Sequence, residues 1–116
     1  VLKGSVCVDG ETVGAIDKGY VVFCGVSDED DLDIMEKMTT KLLNLRILED
    51  ENGKVNKSII DVGGEILLIS QFTLYADCHH GNRPSFVLAG APDHAKDIYE
   101  KMAENIRNQG FTCNDM

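Results

Sequence analysis

Ile66, Leu67, Leu68 and Ile69 form an unbroken run of branched apolar residues, and Ser70-Gln71-Phe72-Thr73-Leu74-Tyr75-Ala76-Asp77 follows it with no spacer. Such a run fits a strand buried on both faces, which demands a covering layer above and another below. Hydroxyls, an amide and aromatics then arrive at the strand's end. A Ser or Thr oxygen there either serves as a nucleophile or satisfies main-chain groups at the edge of the sheet.

The other elements supply the covering layers. Residues 5–9 alternate around Val6 and Val8, Asp9-Gly10 is a two-residue hairpin signal, and Val13 to Ile16 is the return strand. Tyr20 to Val26 is nearly continuous in apolar residues and reads as a central strand. Ser27 and Asp30 have capping-box spacing at the head of a helix whose apolar stripe is Leu32, Met35, Met38, Leu42 and Leu45, with the methionines in the core. The acidic block Asp28, Glu29, Asp30, Asp31, Asp33 and Glu36 suits the positive end of that helix. Leu45 to Leu48 returns to strand, and Asn52-Gly53 and Gly63-Gly64 are read as two further tight hairpin turns. A second long helix begins at Pro92, buries Ala95, Ile98, Tyr99, Met102, Ala103 and Ile106, and stops at Gly110, with His94 on its surface. Phe111 to Cys113 starts another strand.

A chain of 116 residues is expected to form one domain, spanning residues 1–116. No apolar stretch reaches the length of a membrane span and no signal peptide is visible at Val1, so a cytoplasmic location without membrane attachment is expected. Cys7, Cys24, Cys78 and Cys113 are scattered singly, which predicts reduced and mostly packed thiols rather than a zinc knuckle. Cys78, His79 and His80 carry ligand-type side chains, yet adjacent loop residues seldom converge on one ion, so neither a metal nor a cofactor is expected. The net charge of −9 disfavours broad contact with a phosphate backbone, although Lys37, Lys41, Arg46, Lys54 and Lys57 allow a local basic face.

Four motifs carry a family resemblance. They are Leu43-Asn44-Leu45-Arg46-Ile47 followed by Glu49-Asp50, then Asp61-Val62-Gly63-Gly64-Glu65, Ser70 to Asp77, and Arg83-Pro84-Ser85-Phe86. In this order and spacing the chain resembles the D-aminoacyl-tRNA deacylases, also called D-tyrosyl-tRNA deacylases. The resemblance implies a mixed α/β fold with largely antiparallel sheets, arranged as β/β/α layers or a barrel with two helices. It also implies a homodimer with the active site at the subunit interface. The implied reaction is hydrolysis of the ester that joins a D-amino acid, or achiral glycine, to the terminal adenosine of tRNA. By motif, Ser70, Gln71, Phe72 and Thr73 wall the pocket, and Arg83, Pro84, Phe86 and Met116 are further substrate-binding positions.

Two chemical schemes follow from the resemblance, one with Thr73 as nucleophile and one that relies on main-chain groups and the adenosine's own 2′-hydroxyl. A hydroxyl nucleophile needs an adjacent base, and neither a histidine nor an acid lies within Gln71 to Tyr75, which favours the main-chain scheme with the N–H groups of Phe72 and Thr73 as donors. The few phosphate contacts needed at an acceptor end fall to Arg46, Lys54, Lys57 or Arg83. The family's first strand and its late Gly-Pro motif, which excludes L-amino acids, have no counterpart in these residues, so the expectation for this stretch alone is poor folding or loss of chiral control. A competing expectation is a non-enzymatic dimeric module that binds nucleic acid on the same fold, and a generic serine or cysteine hydrolase is a third.

Overall fold

A computed structural model describes residues 1–115. The chain opens with a hairpin of β1 (Gly4–Val8) and β2 (Glu11–Ile16), antiparallel as expected from Asp9-Gly10. Both turn residues take positive φ, 50° and 82°, the backbone that a two-residue turn requires to match the strand twist. β3 (Gly19–Cys24), β6 (Glu65–Ser70) and β7 (Cys113–Asp115) form the main sheet in the order β3-β6-β7.

Both pairings in this sheet are parallel; among the described residues antiparallel strand pairs are β1-β2 and a short hairpin of β4 (Leu48–Glu49) and β5 (Val55–Lys57), besides an isolated bridge between Asp77 and Ser85. Parallel neighbours need a long crossover, and α1 (Leu32–Asn44) with the β4-β5 hairpin supplies the first while α3 (Pro92–Asn108) supplies the second. β6 is therefore the central strand, and β3, expected in that place, lies at the sheet edge. The architecture is mixed α/β, with a short third helix beyond the two expected.

The burial of β6 follows its sequence. Ile66, Leu67 and Leu68 are fully buried. Ile66 and Leu68 point to the helices, where they meet Leu43 of α1 and Ile98, Tyr99, Met102, Ala103 and Ile106 of α3. Leu67 alternates to the other face, over which β2 packs. Each such side chain contributes roughly 1.5–3 kcal/mol by leaving water.

Four local expectations change in the structure. α1 is capped by Asp31, whose carboxylate accepts from Ile34 N, whereas Ser27 and Asp30 close a separate turn ahead of it. The buried stripe of α1 is Met35, Thr39 and Leu43, and Met38 stands exposed at 61%. Thr39 belongs in that stripe because its hydroxyl donates back to Met35 O at 2.8 Å, so no polar group is stranded. Gly63-Gly64 is not a hairpin turn: Ser58 and Asp61 form a capping box on α2 (Ile59–Val62), and Gly63 ends that helix with φ 63°. Among the thiols, only Cys113 is buried; Cys24 is half-buried, and Cys7 and Cys78 are exposed. All four are free.

Candidate active site

β6 ends at Ser70, and the chain turns at once into a 3-10 helix, Phe72–Tyr75. Gln71 N still donates to Cys24 O at 2.9 Å, so the β3-β6 ladder holds the turn at its root. The N–H groups of Phe72 and Thr73 open the 3-10 helix, where the first donors of any helix lack an internal partner. No main-chain or side-chain acceptor among the described residues pairs with either. The Gln71 amide donates to Thr73 Oγ1. That hydroxyl is bonded to no carboxylate or imidazole among the described residues.

A cavity of about 610 Å3 opens beside this turn. Ser70 and Phe72 form one wall, and Phe86 joins them through an edge-to-face contact with Phe72, 5.3 Å between ring centres. The opposite wall comes from Ala89, Gly90 and one face of α3, namely Pro92, Ala95, Lys96, Tyr99 and Glu100. Tyr99 is fixed by its hydroxyl, which donates to Leu68 O at 2.7 Å. Ala95 and Tyr99, expected in the buried stripe of this helix, also face the cavity, whereas Lys96 and Glu100 lie one position further on and carried no such expectation. Lys96 and Glu100, 4.0 Å apart at their charged ends, are the ionic groups in a lining that is otherwise largely apolar.

The expected site residues divide. Ser70, Phe72 and Phe86 share the cavity, and Gln71 and Thr73 stand beside it on the same turn. Arg83 and Pro84 are exposed on a loop closed by mutual hydrogen bonds between Asp77 and Ser85, at 2.7 and 2.8 Å, and they do not line the cavity. Met116 lies outside the described residues. Asp77 Oδ1 accepts from His79 N at 2.9 Å, and the His79 and His80 rings stack at 4.3 Å on the surface. No cluster of three His, Cys, Asp or Glu side chains suited to a metal occurs among the described residues. Two of the expected phosphate contacts are engaged within the protein: Arg46 Nε donates to Asn56 O at 2.9 Å, and Lys57 pairs with Glu51 at 2.6 Å.

A second cavity of about 410 Å3 lies between the outer side of β3 and α1, lined by Phe23, Cys24, Ile34, Met38 and Tyr75 among others. Burial, and after it the Asp30 carboxylate, push the Cys24 thiol up. A thiol so placed stays protonated and makes a poor nucleophile. No helix among the described residues is long and apolar enough to cross a membrane.

The site thus sits at the carboxyl end of parallel strands, which is where α/β proteins bind their small-molecule substrates. The description D-Tyr-tRNA(Tyr) deacylase belongs to a family model that matches residues 1–115, and the chain is a member of that family. It is 48% identical to a D-aminoacyl-tRNA deacylase of Thermus aquaticus over 108 residues, 93% of this chain and 71% of the relative. It is 50% identical to that of Shewanella woodyi over 112 residues, 97% and 77% of the two chains. Among solved structures, a c-Myc DNA unwinding element binding protein superposes with a TM-score of 0.89 at 41% identity, covering 99% of this chain and 78% of the other. A probable eukaryotic D-amino acid tRNA deacylase shares the fold at 19% identity, with a TM-score of 0.76 and coverage of 91% and 62%.

Proposed function

We propose that this chain is an ester hydrolase that removes the amino acid from D-aminoacyl-tRNA, and glycine from mischarged tRNA, as a proofreading step of translation. The observation that carries the reading is the placement of the Ser70-Gln71-Phe72-Thr73 turn against a mostly apolar cavity, in a chain about half identical to proteins named for this activity. The terminal adenosine and its acyl group enter the cavity, with the ester carbonyl next to the 3-10 turn. Water attacks the carbonyl carbon, and negative charge gathers on the carbonyl oxygen. The N–H groups of Phe72 and Thr73 donate to that oxygen, an interaction worth roughly 2.7–4 kcal/mol per donor where one has been removed in other enzymes. The bond from carbon to the ribose oxygen then breaks. The ribose oxygen takes up the proton, assisted by the neighbouring 2′-hydroxyl, and free amino acid and tRNA leave.

Thr73 acts in this scheme by orienting the turn. A threonine nucleophile needs a base to remove its proton, whereas Thr73 Oγ1 accepts from a donor, the Gln71 amide. An aminoacyl ester is reactive enough for positioning and oxyanion stabilisation to serve.

A homodimer fits the surface: Phe23 on the edge strand and Ile34 and Met38 on α1 are 56%, 40% and 61% exposed around the second cavity. Apolar groups grouped in this way favour a covering partner. The DNA-binding name of one structural neighbour supports the competing view of a binding module. Incubation with matched D- and L-aminoacyl-tRNA separates the two. Release of the D-amino acid above the spontaneous rate is the expected result, and salt-sensitive binding with no release of either amino acid would overturn the enzyme reading.

A further inference from the structure

We propose that Asp28 is a positioning residue for this site: it holds the α3 wall of the cavity at a set distance from the Ser70–Thr73 wall. The assignment rests on the cavity being the place where the aminoacyl end binds. No carboxylate of the acidic block is more remote from the reaction in sequence, yet the Asp28 side chain does not serve the helix that follows it. Asp28 Oδ1 accepts instead from Ala91 N at 2.8 Å, 63 positions away, at the head of α3. Ala91 is the capping residue of α3 and has no side-chain cap of its own. The carboxylate also lies at the positive end of a 17-residue helix, which strengthens the contact.

Two further bonds join the same segments. Gly90 N donates to Val26 O at 2.7 Å, and His94 Nε2 lies 2.8 Å from Asp30 O. A carbonyl only accepts, so His94 Nε2 is the donor in this contact. The backbones come so close at Gly90 that a Cβ there would stand 3.0 Å from Val26 O and 3.2 Å from Ser27 C.

The segment Gly25–Asp31 is gripped from the other side as well. Its first residue packs on the 3-10 turn, where a Cβ on Gly25 would meet Leu74 Cβ and the Tyr75 ring at 3.2 Å. One short segment therefore touches the turn that bears Phe72 and Thr73 and also the head of α3 that bears Gly90, Pro92 and Ala95. These are the two walls of the cavity. Displacing such a wall weakens its contacts with the bound adenosine end, and each loss of about 1.4 kcal/mol is a tenfold loss of affinity.

Asp28→Ala removes the acceptor, while Asp28→Asn keeps an oxygen that still accepts from Ala91 N–H. The test measures kcat and KM for D-aminoacyl-tRNA at a temperature well below each variant's unfolding transition. Affinity for a non-hydrolysable 3′-D-aminoacylamino adenosine and amide exchange at Ala91 are measured in parallel. Asp28→Ala is expected to raise KM and weaken the analogue about tenfold with kcat held within about threefold, and to speed exchange at Ala91; Asp28→Asn is expected to stay within about threefold throughout. A purely structural role would lower the melting temperature and leave KM and analogue affinity unchanged in the folded protein. That outcome overturns the proposal, as does Asp28→Asn failing as badly as Asp28→Ala, or analogue binding absent from every form. Should the unaltered protein bind the analogue but release no amino acid, the deacylase reading falls, while the analogue affinities still decide the role of Asp28.

Discussion

Replacement of Thr73 by valine separates the two chemical schemes. Valine keeps the shape and β-branching of threonine, so the Phe72–Tyr75 turn is retained, and only the hydroxyl and its bond from the Gln71 amide are lost. Gln71 and Thr73 are half-buried, so water can replace the partner that Gln71 loses. A hydrogen bond of this kind is worth about 0.5–1.5 kcal/mol net, and 1.4 kcal/mol is a factor of ten. The main-chain scheme therefore predicts that Thr73→Val lowers kcat/KM for D-aminoacyl-tRNA by up to about tenfold. A nucleophilic Thr73 predicts a far larger loss, since removing the nucleophile of a serine protease costs on the order of 10⁶ in kcat. The assay follows free amino acid released from D-aminoacyl-tRNA under single-turnover conditions, with mass spectrometry of the acid-quenched protein. A loss beyond roughly a thousandfold, or an acyl group found on Thr73 of the unaltered protein, would refute the reasoning, because main-chain donors survive the substitution.

Other parts of the account carry their own tests. Leu68→Ala, at a fully buried position of β6, is expected to cost about 2–5 kcal/mol in urea unfolding, and about 4 °C of melting temperature for each of them. Asp61 has its carboxyl held below the usual carboxylate range, first by the Ser58 N–H and then by the Ser58 side chain. Its folded value is the lower one, so its contribution is present above the unfolded value, near pH 4, and is lost as acid carries the pH down through the folded value. Unfolding curves of Asp61→Asn and the unaltered protein should accordingly differ at neutral pH and converge in acid. Met38→Glu places a charge on the exposed face of α1, and sedimentation should show a shift from dimer to monomer with little change in the monomer's melting temperature.

Much of this fold was legible because local chemistry and tertiary packing agree. The Ile66–Ile69 run announced a strand covered on both faces, and Pro92 and the stripe from Ile98 to Ile106 marked α3 with its buried side. Parallel pairing was also latent in that run, since strands buried on both faces are typical of parallel sheets. It was obscured by Gly63-Gly64, which looks like a hairpin turn unless Ser58 and Asp61 are recognised as a capping box three residues apart. Met38 has core chemistry at helical spacing, yet exposure depends on which side of α1 faces α3, and that is a tertiary fact.

The site was legible in part, for a similar reason. Ser70 to Thr73 stood out because polar groups follow a buried strand, whereas Lys96, Tyr99 and Glu100 reach the cavity only once α3 has packed across β6. The acidic block was read as serving α1 alone. In the folded chain Asp31 caps α1, Asp30 closes a turn on Ser27 N, and Asp28 crosses to α3, a division of labour that sequence spacing does not encode.

The most direct test of the central claim is amide NMR of the protein titrated with non-hydrolysable 3′-D-aminoacylamino adenosine. The account predicts the largest shifts, with slowed exchange, at the N–H groups of Phe72 and Thr73, accompanied by changes at Gly90 and Ala95 on the facing wall. Unchanged Phe72 and Thr73 amides on binding, with shifts confined to the loop that carries Arg83 or to the second cavity, would contradict it.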